Sequence, residues 1–220
     1  PDGTVIPLAA ESFTTEDAVT FDVTLRPGMT FHDGSPVTTA AITRSIDHMK
    51  ASDSQVADTI SVVDHVEEID ELHARIVCSE PAAWLPSQLA VWQVLLPEDF
   101  TLESLETNPI GSGPYRWGGH EPGTQVTLLR NEGYTWGSPK GEALADELVY
   151  RFVPESATRV ADLSTGQADI IVRIPQEQEA GVVGGGGRFV VAETLATAFV
   201  RIATDVEPFD DPLVRRALNH

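Results

Sequence analysis

Apolar and polar positions alternate most regularly between Val19 and Arg26. Val19, Phe21, Val23 and Leu25 share one side, and Thr20, Asp22, Thr24 and Arg26 the other, the pattern of a half-buried strand. Pro27-Gly28 and His32-Asp33-Gly34-Ser35-Pro36 are turn signals. The period then changes. Thr38 reads as an N-cap, and Ile42, Ile46 and Met49 follow at helical spacing. Val62 to Ile69 and Leu72 to Cys78 predict a hairpin turning at Asp70-Glu71. Trp84 to Leu89 predicts a short helix, and Val91 to Leu96 a nearly all-apolar strand. Gly111-Ser112-Gly113-Pro114-Tyr115 opens a second hairpin, with its turn at Glu121-Pro122-Gly123 and its return strand at Val126 to Leu129.

The last third predicts a strand from Leu148 to Val153, a helix from Ser156 to Leu163 stopped by Gly166, and a strand from Ala168 to Val172. That order suits a parallel crossover within a mixed sheet. Gly184 to Gly187 reads as a flexible surface turn ahead of strands at Phe189 to Ala192 and Thr197 to Ile202. Asp210 or Asp211 then caps a helix with Pro212 in its first turn and Val214, Ala217 and Leu218 on one stripe. Its stripe stops after about two turns, short of the usual helix length, which predicts a piece of a longer protein. The expected fold class is mixed α/β.

Composition narrows the possible functions. With 41% hydrophobic residues the chain can bury a core, and no run is apolar enough to cross a bilayer. The 34 acids against 14 bases give a net charge of -20, which disfavours nucleic acid as a partner because phosphate contacts need clustered Lys and Arg. Cys78 is the single cysteine, so no internal disulfide or cysteine metal cluster is expected; in an apolar strand it reads as a small buried hydrophobe. The histidines at 32, 48, 65, 73, 120 and 220 lack a metal-ligand spacing. His32 beside Asp33 could hold a metal, but Asp in a Gly-Pro turn more usually bonds local amides. Gly111-Ser112-Gly113 is not a nucleophile elbow, and the glycine run lacks the Lys and Ser/Thr of a phosphate loop. No catalytic residue, metal site or cofactor is expected.

Six segments, in order, resemble one family. Leu25-Arg26-Pro27-Gly28-Met29-Thr30-Phe31-His32-Asp33-Gly34-Ser35-Pro36-Val37-Thr38 is similar to the signature segment of family 5 extracellular solute-binding proteins. Ser79-Glu80-Pro81-Ala82-Ala83-Trp84 and Asn108-Pro109-Ile110-Gly111-Ser112-Gly113-Pro114-Tyr115 resemble two further motifs of that family. Arg130-Asn131 with Tyr134 and Trp136, then Thr158-Arg159 with Gly166 and Asp169-Ile170, continue the series. Pro208-Phe209-Asp210-Asp211 with Val214-Arg215-Arg216-Ala217-Leu218-Asn219 resembles the lead-in to the second lobe. The chain departs from the family at Ala40-Ala41, where an acidic pair is common, and at Ala198, Ile202 and Ala203.

The resemblance implies a periplasmic-binding-protein type II-like fold, incomplete, with the first lobe and the start of the second. Residues 1–100 would form the smaller subdomain of lobe one, 101–205 part of its main sheet, and 206–220 the truncated start of lobe two. It implies a non-enzymatic, extracytoplasmic receptor of an ATP-binding-cassette (ABC) importer, either periplasmic or a cell-surface lipoprotein. The partners would be a peptide or other small-molecule ligand and a membrane permease, and the cleft would close over the ligand. Trp92, Gln93 and Val94 fall where relatives line the lobe-one wall, and Phe199 joins them from the crossing strand. A sensory module of a regulator and a secreted hydrolase remain alternatives.

Overall fold

The computed structural model describes residues 5–51, 55–92, 94–139, 141–191 and 201–218. The chain divides into two compact units, Pro1–Phe152 and Val153–His220.

In the first unit, β1 (Ala10–Thr14), β2 (Thr20–Leu25), β3 (Val63–Glu68) and β4 (His73–Cys78) form an antiparallel sheet of order β1-β2-β4-β3. Alternation along β2 buries Phe21, Val23 and Leu25, as the sequence predicts. Between β2 and β3 run α1 (Ala40–Ala51) and the short α2 (Gln55–Ile60). Ala41, Ile42, Ser45, Ile46 and Met49 are the buried face of α1. The apolar members of that face join Phe21, Val23, Leu25, Ala74, Ile76 and Cys78 in one core. At the start of α1, the Thr39 hydroxyl donates to Asp70 O at 2.6 Å, fastening the helix to the β3–β4 turn. Near its end, Lys50 Nζ donates to Val63 O at 2.8 Å and Asp64 O at 2.9 Å.

Leu85 to Trp92 is a helix, α3, which corrects the expectation of a short helix followed by a strand from Val91. The all-apolar run fits either element by period alone, and packing of Leu85 and Leu89 into the core decides for helix. Downstream, α4 (Leu102–Thr107) carries a reciprocal capping box between Thr101 and Ser104, in a stretch that reads as a polar link.

The second sheet of this unit is a meander of β5 (Tyr115–Glu121), β6 (Gln125–Arg130) and β7 (Glu147–Arg151). Arg130 spans its end, pairing with Glu132 at 3.0 Å and Asp146 at 2.8 Å. Tyr134 is buried edge-on against Trp136, with ring centroids 4.8 Å apart. The hydroxyl of Tyr115 accepts from the Ala145 amide at 3.2 Å.

The second unit holds α5 (Ser156–Ser164), a 3₁₀ turn at Gln176–Gln178, α6 (Glu179–Gly184) and α7 (Pro212–Ala217). Asp211 caps α7 by accepting from Leu213 N at 2.8 Å, with Pro212 in the first turn, as expected. The strands expected at 168–172 and 189–192 do not form a ladder: 168–172 and 189–191 run without strand pairing among the described residues, and Ala192 lies outside them. An apolar run becomes a strand only where a neighbour supplies the ladder. The expected strand–helix–strand crossover is therefore absent from the described residues. The strand from Thr197 lies outside them up to residue 200, and Arg201 and Ile202 are not in a strand.

Candidate functional site

Of the expected wall residues, Trp92 and Val94 fall at the exit of α3. Trp92 is the last residue of that helix. Gln93 and Phe199 lie outside the described residues. Val94 is 59% exposed, whereas Leu96, two positions on, is buried. The Leu96 carbonyl accepts from Arg44 Nε of α1 at 3.1 Å, which holds this exit segment against the helix. Nothing in the sequence singles out Arg44, because its partner is 52 residues away.

Beside this exit lies a half-open hollow of about 640 Å³ in the first unit. Leu8, Phe13, Val23, Ile42, Leu89 and Leu95 are among its walls, and every described lining residue is apolar. It can accept aliphatic or aromatic groups but offers no side-chain hydrogen bond. A second hollow, of about 860 Å³, lies within the second unit between residues 169–174 and 185–191. Its lining is mixed, with Asp169, Arg173, Gln176 and Arg188 beside Ile170 and Val172. Arg159, from the Thr-Arg motif, organises that unit by donating to Val153 O at 2.6 Å, Pro154 O at 2.7 Å and Arg173 O at 3.1 Å.

Other motif residues have structural work. Asp33 Oδ1 accepts from the Ser35 amide at 2.9 Å and the Ser35 hydroxyl at 2.6 Å, closing the turn as expected of Asp in this setting. Those bonds hold the Asp33 carboxyl below its usual value. Backbone amides do the same for Asp17, from Thr20 and Val19, and for Asp70, chiefly from Leu72. Cys78 is buried, and desolvation pushes its thiol pKa up, the reverse of an activated nucleophile. Among the described residues no group of three or more His, Cys, Asp or Glu is placed to hold a metal. No helix among them is long and apolar enough to cross a membrane.

Residues 4–220 match the family described as bacterial extracellular solute-binding proteins, family 5. The chain belongs to that family. Family 5 proteins bind solutes for ABC importers and are not enzymes. The glutathione-binding protein GsiB of Pectobacterium atrosepticum is 30% identical over 98% of this chain and 43% of its own length. The periplasmic binding protein MoaA of A. tumefaciens R10, solved with mannopinic acid, superposes with a TM-score of 0.79 at 25% identity, over 96% of this chain and 44% of that one. A nickel ABC transporter structure from Bacillus halodurans gives 0.72 at 26% identity, over 97% and 44%. The chain thus spans under half the length of each of these relatives. Its mixed α/β fold is the periplasmic-binding type of family 5, in part.

Proposed function

We propose that this chain is the first lobe, with the start of the second, of an extracytoplasmic receptor that delivers a peptide or similar small solute to an ABC permease. The match to family 5 over residues 4–220 carries the reading. In it, residues 1–100 serve as the smaller subdomain of lobe one, 101–205 as part of its main sheet and 206–220 as the entry to lobe two. The receptor is periplasmic or anchored at the cell surface, and its partners are the solute and the permease.

The exit of α3 is the wall this reading offers to the ligand, through Trp92, Gln93 and Val94, with Phe199 as a fourth contact. Support comes from Val94, an apolar side chain left 59% exposed on a segment whose next residues are anchored. An exposed valine on a fixed backbone gives a ligand apolar area without costing ordering entropy. The relatives' names span glutathione, mannopinic acid and nickel, so ligand chemistry varies among proteins of this shape.

Titration calorimetry on the full-length receptor tests the reading, with di- and tripeptides, glutathione, mannopinic acid and nickel–histidine as probes. Saturable binding of one of these, with domain closure seen by small-angle scattering, is the expected result. Absence of binding across the panel together with turnover of a peptide or ester would overturn it.

A further inference from the structure

His32 lies half-buried where the turn after β2 meets Gly111-Ser112-Gly113-Pro114, the segment that leads into β5. It joins the two sheets of the first unit. The His32 amide donates to Gly111 O at 2.8 Å. In return the Gly111 amide donates to His32 Nδ1 at 3.2 Å. Nδ1 must therefore present a lone pair, which puts the ring proton on Nε2. Nε2 faces Gly113 O at 3.1 Å and donates to it. Asn131 Nδ2 donates to the same carbonyl at 3.0 Å. A β-carbon on Gly111 would lie 3.3 Å from His32 Cε1, so the ring rests on this backbone. One imidazole thus grips both an N–H and a C=O of a three-residue segment. Only its neutral form has the acceptor this requires.

We propose that His32 is a proton-operated latch between the two sheets: neutral, it clasps both Gly111 and Gly113; protonated at Nδ1, it turns an N–H against the Gly111 N–H and releases that amide, while Nε2–H keeps its bond to Gly113 O. Two charged groups face it. Arg116 of β5 opposes the incoming proton, and Asp33, beside it in the turn, favours it. Burial of the ring is the largest influence and holds its pKa below the ordinary histidine value; the bond to Gly113 O works against it, and Asp33 is already committed to Ser35. Because the folded-state value is depressed, the latch is fully engaged above the unfolded value of about 6.5. Its contribution is lost as pH falls from there through the folded value. The step binds one proton and breaks one hydrogen bond, with no other reactant.

Nuclear magnetic resonance of the protein labelled at histidine rings and glycine amides, from about pH 8 to about pH 4.5, tests this in the histidine window. The expected result is an Nε2–H tautomer at neutral pH and a His32 midpoint below about 6.5. The Gly111 amide should shift with the same midpoint, and its protection, measured against the intrinsic exchange rate at each pH, should fall at least tenfold below it. His32→Asn, which offers a carbonyl and an amide that do not titrate, should remove that dependence. A His32 midpoint at or above about 6.5, or a Gly111 amide indifferent to His32 titration, would overturn the latch. The wild-type titration decides alone if the variant does not fold. It also leaves the receptor reading untouched, since it requires no ligand.

Discussion

The backbone of Gly187 lies so close to α5 that a β-carbon there would sit 2.9 Å from Leu163 Cδ2 and 3.0 Å from Val182 O. Gly185 is as tightly placed, with Ser164 Cβ 3.0 Å from such a carbon. Between them Gly186 has φ +84, a conformation that side chains resist. The run stays at the surface through Gly184, Gly185 and Gly186, but at Gly185 and Gly187 it is not loose. At those two positions the backbone crosses closely over the end of α5.

Gly187→Ala is expected to destabilise the protein by about 1–3 kcal/mol, the usual cost of overpacking, since Val182 O is backbone and cannot swing aside. Gly184, at the end of α6, is different: a β-carbon added there would meet nothing within 4 Å, and its φ is ordinary. Gly184→Ala should be neutral or stabilising by about 0.4–1 kcal/mol through lost unfolded-chain entropy. Chemical denaturation of the pair, side by side, checks the contrast.

Ile46 of α1 is 1% exposed and packs in the core under the four-stranded sheet. Ile46→Ala should cost about 2–5 kcal/mol by removing buried methylene groups and leaving a cavity. Asp47, the next residue, is exposed, and Asp47→Ala should stay within about 0.5 kcal/mol of wild type. Urea midpoints of the two variants read this directly.

Asp17 Oδ1 accepts from the amides of Val19 and Thr20, each at 2.8 Å, and its pKa is lowered by them. A lowered folded-state value means stability that is present above the unfolded carboxylate value and lost as pH falls through the folded one. Asp17→Asn should therefore lower the melting temperature at neutral pH and lose most of that difference in strong acid. Thermal scans against pH follow it; a pH-independent difference would place the effect elsewhere.

Val94→Ala should barely change the melting temperature, because the side chain is already 59% exposed. In the full-length receptor, its affinity for solute should fall about fivefold, as the loss of two methyl groups from the contact removes roughly 1 kcal/mol. Calorimetry on the full-length variant decides whether the α3 exit is a ligand wall.

Where one local rule was enough, sequence alone determined the structure. The alternation of Phe21, Val23 and Leu25, the spacing of Ile42, Ile46 and Met49, the Asp70 turn, and Asp211 with Pro212 each depend on neighbours a few residues away. So do the motifs that place the chain in family 5. Only the tertiary structure decided what depends on distant partners. Val91 and Trp92 became helix because Leu85 and Leu89 found a core, while 168–172 stayed unpaired because no described strand lies beside it. His32 gained its role from Gly111, 79 positions away, and Arg44 its hold on the α3 exit from Leu96. Periodicity records which face a residue turns, but not what waits there. That is why the turn around His32 was legible in the sequence and the latch was not.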